Sequence, residues 1–282
     1  MSTRRIRTVS KSTPTMEGAG VHLRRAFGFH NTEETDPFLL LDDFRNDRPE
    51  HFMQGFPWHP HRGLETITYM LEGSVEHADS IGNAGAIHPG GVQWMTAGRG
   101  IVHQEMPKPD EAGRMGGFQL WANLPADSKM MPPRYQEFAD AEIPVAELED
   151  GVTARVVCGE IGGVSGPVEN VVIAPGYYDV SMPAGTTFAH AVPRGHSALA
   201  YVIAGAARFD PEDDSLYGNY SLVLWEDGDG ISVRTGESPA RFLLVTGHPL
   251  GEPVAWHGPI VMNTDEELRT AFAELQAGTF LK

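Results

Sequence analysis

Two short spacings in the chain carry the residue types of a metal site: His59-Pro-His61 and His103-Gln-Glu105. On a β-strand, residues two apart project from one face, about 6.5 Å apart at Cα, so each pair can aim two side chains at one point between neighbouring strands. Three neutral imidazoles and a carboxylate suit a divalent first-row ion such as Fe(II), and six-coordinate geometry then leaves two positions for a guest. The same nitrogen and oxygen donors accept Mn, Co, Ni, Cu or Zn. A lone His-x-His is more often a surface or core pair; two such dyads with a hairpin between them are a more specific signal. Cys158 is the single cysteine, which excludes disulfides and thiolate clusters and fits a reducing cytoplasm. Its strand-like surroundings, Thr153 to Gly159, read as those of a small buried hydrophobe.

The elements that must position these residues are strands. Leu64–Leu71, Val92–Thr96, Gly117–Trp121, Ala154–Val157 and Arg241–Val245 alternate or run apolar with β-branched and aromatic residues, separated by turns such as His88-Pro-Gly-Gly91. Gly 32 and Pro 21 favour many short strands over long helices, so the fold class is all-β. One short C-terminal helix stands out. Thr264 and Glu267 form a capping box, Leu268, Ala271, Phe272 and Leu275 make one apolar stripe, and Gly278 occupies the C-terminal cap.

A chain of 282 residues has the length of about two domains. The Pro- and charge-rich stretch 124–150 reads as their connection, giving an N-terminal barrel over 1–130 and a C-terminal one over 131–282. An internal repeat supports this. His59 to Gly73 aligns without gaps onto Ala191 to Gly205, with Arg62/Arg194, Gly63/Gly195, Tyr69/Tyr201 and Gly73/Gly205 identical. In the second copy Ala191, Pro193 and Ser197 stand where His59, His61 and Glu65 stand. Arg241 and Leu243 are the expected counterparts of His103 and Glu105, so that barrel is expected to bind no metal.

The net charge of -17 argues against binding a phosphate backbone, so no direct nucleic-acid partner is expected. The basic residues near the start (Arg4, Arg5, Arg7, Lys11, Arg24, Arg25) read as a solvated edge strand. No apolar segment has the length of a signal peptide core or a membrane span, which points to a cytoplasmic protein, with a monomer as the default state. Phosphate-loop, nucleophile-elbow and dinucleotide signatures are absent. His51, His77 and His88 read as solvated or structural. Trp58 is either a pocket wall or core.

Pro60-His61-Arg-Gly-Leu-Glu-Thr, Gln93 to Gly100 with Ile101 to Pro107, Met130 to Tyr135 and Glu252 to Gly258 closely resemble the pirin family of bicupins, from about Asp36 to the C-terminus. The resemblance implies two stacked cupin-type β-barrels, with a metal in the first held by His59, His61, His103 and Glu105. It implies Phe56 as pocket lining. Glu65 fills the carboxylate slot of the wider cupin motif without being a ligand in pirins; its expected role is to orient a ligand histidine, the plainer alternative being to satisfy nearby groups. The activity implied is a quercetin 2,3-dioxygenase-like oxidation of a small aromatic substrate such as a flavonol, with Glu105 also taking the substrate proton. The alternative the resemblance implies is a redox-sensitive regulator with a protein partner, a transcription co-regulator or a partner of a metabolic enzyme.

Overall fold

The computed structural model describes residues 2–282. The chain forms two compact units that are not contiguous in sequence: one comprises residues 13–34, 38–141 and 250–282, the other 2–12, 35–37 and 142–249. A single boundary within 124–150 therefore divides the bulk of the chain but misplaces both ends. The first strand, Ile6–Lys11, pairs antiparallel with Ser221–Trp225, and its N-terminal flank joins it: Arg4 is only 1% exposed and donates to the carbonyls of His196 and Pro193. The opening basic stretch is thus no uniformly solvated edge, because a guanidinium carries enough donors to be buried against backbone carbonyls.

The unit holding the histidine dyads is built from two antiparallel sheets. The larger runs in the order Arg134–Phe138, Val92–Thr96, Leu64–Glu72, Gly116–Asn123, Phe38–Asp43, Val21–Phe27, Thr13–Glu17. The smaller runs Phe56–His61, Ile101–Lys108, Ser74–Asp79, Ala84–Ile87. Val21, Leu23, Phe44, Met70, Val75 and Ile87 form an apolar cluster in this barrel, with Phe56 packed against it. Hydrophobic association drives that packing, at roughly 25 cal/mol per Å² of apolar surface removed from water. The same unit takes in the C-terminal hairpin Ala255–His257/Ile260–Met262 and the helix Asp265–Ala277. The helix starts where the capping box placed it: Thr264 accepts from the Glu267 amide, Glu267 accepts from the Thr264 amide, and Gly278 closes it at φ +69°.

The other unit is built on a nine-stranded sheet, beside the short hairpin Glu160–Ile161/Val164–Ser165, in which the 18-residue strand Gly230–Gly247 pairs with Gly176–Met182, Thr187–Ala191 and Ser197–Arg208. Its interior is apolar, with Tyr178, Val180, Phe188, Val202, Phe242 and Leu244 buried together. Among the described residues, no helix is long and apolar enough to cross a membrane.

Candidate metal centre

The strands Phe56–His61 and Ile101–Lys108 lie side by side with His103 opposite His59 and Ile101 opposite His61. Directly opposed residues face the same way, so the two dyads meet on one face. The ligand atoms of His59, His61 and His103 lie within 4.8 Å of one another, the one such His/Cys/Asp/Glu group among the described residues. A register shift between His103 and Glu105 brings Phe56, not Pro57, opposite Glu105. The extra residue turns Phe56 into the cavity; Trp58, next to the inward His59, takes the opposite face of the strand and is 54% exposed, so it is neither pocket wall nor core.

The protonation pattern of the imidazoles follows from their backbone partners. His59 Nδ1 lies 3.0 Å from the Pro57 carbonyl and His61 Nδ1 lies 3.1 Å from that of Pro259. A carbonyl only accepts, so both Nδ1 atoms carry the proton and both Nε2 atoms present lone pairs. Those two Nε2 atoms stand 3.1 Å apart, and His103 Nε2 is buried without a hydrogen-bond partner. Burial and the neighbouring imidazoles push His61 and His103 well below the usual histidine range, and burial lowers His59, so all three stay neutral. Converging lone pairs repel unless a cation lies among them; the donor set fits a metal ion, with carbonyl bonds fixing two of the rings.

Glu105 stands beside this cluster. Its Oε2 is 3.9 Å from His103 Nε2, and its Oε1 is 3.1 Å from Thr68 Oγ1. Burial pushes its carboxyl up to about 7, against the lowering effect of the Thr68 bond. Thr68 Oγ1 is also 2.7 Å from Gln119 Oε1. One hydroxyl proton cannot serve both oxygens; with the Gln119 amide turned, its NH₂ donates to Thr68 and Thr68 donates to Glu105.

Glu65 is not part of this arrangement. It is fully buried, takes the Thr96 hydroxyl at 2.6 Å, and lies directly opposite Thr96 in the register. Side chains alternate along Leu64–Glu72, and Thr68, three residues on, is the one that reaches Glu105, so Glu65 projects from the other face of the sheet. The expected orienting role gives way to the plainer one. His77 takes the structural alternative rather than the solvated one: it lies within Ser74–Asp79, buried, with Nε2 2.9 Å from Glu137 and 2.6 Å from the Tyr135 hydroxyl.

Over the histidines opens a cavity of about 750 Å³, in the size range of small-molecule sites. Phe29, Phe56, Trp121 and Trp256 are its aromatic walls, Thr68, Gln119 and Glu105 its polar floor, and Arg25 and Asp42 a paired charge held by two bonds of 2.8 and 2.7 Å. Trp256 comes from a sequence segment marked only by resemblance, and Pro259 lies one residue beyond it, marked by nothing in the sequence. Thr68 and Gln119 were detectable in principle as inward positions on expected strands, but each also reads as an ordinary strand residue.

In the other unit Gly230 lies opposite Ala191 as His103 lies opposite His59, so that pair holds no imidazole; Arg241 and Leu243, the expected counterparts of His103 and Glu105, lie instead on the segment paired with Ser197–Arg208, with Leu243 opposite Tyr201 as Phe118 lies opposite Tyr69.

Strand order, hairpin repeat and inward histidines define a protein of cupin domains. The pirin family model matches residues 20–122, and the model of the pirin C-terminal cupin domain matches 177–281. The chain is 47% identical to a pirin-like protein of Caulobacter vibrioides, covering 99% of this chain and 100% of that one. It is 42% identical to human pirin, covering 92% and 88% of the two chains. Among solved structures it is similar to a quercetin 2,3-dioxygenase from Acinetobacter baumannii, at 33% identity and a TM-score of 0.89, with 99% of each chain covered. This chain belongs to the pirin family.

Proposed function

We propose that the chain is a metal-dependent dioxygenase of flavonol-like substrates, using His59, His61, His103 and Glu105 to hold one Fe(II) ion. The observation that carries the reading is the pair of Nε2 lone pairs facing each other at 3.1 Å beneath an aromatic-walled cavity. The structural likeness to a quercetin 2,3-dioxygenase supports the substrate class. A redox-active divalent ion would supply one-electron chemistry between the substrate ring and dioxygen.

The chain's own residues account for the rest. Phe56, Trp121 and Trp256 would sandwich a flat polyphenol, since aromatic rings give large contact area at fixed geometry. Glu105, at the cavity floor beside His103, would take the proton of the substrate hydroxyl while Thr68 holds its second oxygen. The apolar walls would keep water from the reacting ring. Cys158 is buried with its Sγ donating to the Val168 carbonyl at 3.7 Å, and in the proposed cytoplasmic setting a single thiol would stay reduced.

The test is oxygen uptake. The Fe(II)-loaded chain is expected to consume dissolved oxygen when given quercetin, and His103→Ala to lose at least about 100-fold of that rate, in line with losing a metal-holding imidazole. Equal uptake by both proteins overturns the proposal.

A further inference from the structure

Residue 62, next to His61, is an arginine whose side chain runs away from the cavity and is 3% exposed. Its guanidinium reaches three separate stretches of the same unit. Nε donates to the Arg99 carbonyl at 2.5 Å, one terminal nitrogen to Glu274 Oε2 at 2.7 Å, and the other to the Phe280 carbonyl at 2.8 Å. Its carbon also lies 4.1 Å from the centroid of the Phe280 ring. Arg99 leads directly into Ile101–Lys108, the strand that carries His103. One planar fork thus ties the end of the His61 strand, the entry to the His103 strand and the C-terminal segment.

That segment returns to the histidines. The Val261 amide donates to the Arg62 carbonyl at 3.0 Å, and the buried Lys129 ammonium joins the Gly63 and Val261 carbonyls at 2.9 and 3.2 Å. Two residues before Val261, the Pro259 carbonyl takes the His61 Nδ1 proton. The carbonyl that fixes the His61 tautomer is therefore carried by a hairpin whose seat depends on residues 62, 63, 129, 274 and 280. A side chain at 63 would break this seat, since its Cβ would fall 1.9 Å from the Val261 oxygen.

Building on the metal reading above, we infer that Arg62 is a positioning residue: through Glu274 and Phe280 it latches the C-terminal segment so that Pro259 aims the His61 donor nitrogen at the metal. A lysine cannot replace it. An ammonium is a point charge, whereas the guanidinium presents fixed donors in three directions.

The test uses the full chain loaded with Co(II), read by its visible absorption and by the rate of cobalt release to excess EDTA. Arg62→Lys and Glu274→Gln should each release cobalt about 10-fold faster or more, with a shifted ligand-field band, while far-UV circular dichroism stays native. Glu274 is partly exposed, so its variant probes the latch even if Arg62→Lys folds poorly. Arg48→Gln, which removes an exposed ion pair with Glu50, should behave as the native chain. Native release rates and spectra in both latch variants overturn the latch alone. Failure of the native chain to bind cobalt, or binding unaffected by His103→Ala, overturns the metal reading and the latch with it.

Discussion

Gly63 and Gly195 both adopt φ +78°, and Gly73 and Gly205 adopt +67° and +65°. The repeated hairpin thus keeps the same backbone in both barrels, in a left-handed region that glycine enters without a Cβ penalty. What surrounds that frame differs. In the first barrel His59 and His61 precede Gly63, and the turn is held from within by Lys129, 1% exposed. In the second, Ala191 and Pro193 precede Gly195, whose amide bonds to the exposed Asp227 carboxylate. The second barrel fills its interior with apolar side chains, and Arg241 is paired to Asp179. The first keeps three neutral imidazoles and a near-neutral carboxyl in a desolvated interior, an arrangement that costs stability unless those groups have work to do. One frame serves either as plain scaffold or as site, and a few inward residues decide which.

The sharpest break in the comparison is metal content. His103→Ala should lower metal retained after dialysis by about 100-fold or more, while Arg241→Ala leaves it unchanged, both read by elemental analysis. Loss of metal in the Arg241 variant would mean that the second barrel contributes to binding.

A smaller effect separates the two ways of holding the turn. Lys129→Met leaves the carbonyls of Gly63 and Val261 and the Asn123 amide oxygen without their donor, and should cost about 3 kcal/mol in denaturant unfolding at pH 7. Asp227→Asn should leave the unfolding midpoint almost unmoved, because the carboxylate is exposed and its one buried partner, Arg4, is 3.4 Å away and keeps its carbonyl acceptors. The pH dependence sharpens this. Burial lowers the Lys129 pKa to about 8. Between about 8 and the ordinary 10.5 the unfolded chain binds the proton more, so native stability gains from this group as pH rises through that window. The gap between the native chain and Lys129→Met should therefore widen from pH 8 to 10, and a constant gap would count against the lowering of the lysine's pKa by burial.

The smallest difference is between the two glycines. Gly195→Ala meets open space and should cost only the left-handed backbone penalty, about 1–2 kcal/mol. Gly63→Ala adds the collision with Val261 and should cost about 2 kcal/mol beyond that, measured by thermal unfolding. Equal losses would mean that the C-terminal hairpin gives way freely.

Much of this was legible in the residues. Strand alternation, the capping box at Thr264 and the paired dyads identified the β architecture, the helix and the three histidines, because each signal is local and repeats at the period of its element. Trp58 was legible by alternation, since its neighbour His59 faces inward, whereas the inward turn of Phe56 comes from a bulge that adds one residue to the Phe56–His61 strand and leaves no mark in the alternation. Glu65 escaped because its spacing after His61 says nothing of which sheet face it takes. The domain limits escaped because strand exchange of Ile6–Lys11 and docking of residues 250–282 are long-range pairings without a sequence period.

By itself the sequence determined the donor chemistry, three imidazoles and a carboxylate at strand spacing, since residue type and period are written locally. Only the tertiary structure decided how those donors are aimed. Two carbonyls hold the proton on Nδ1, a bulge admits Phe56, and a segment from the far end of the chain supplies Pro259, because orientation depends on contacts between residues up to about two hundred positions apart.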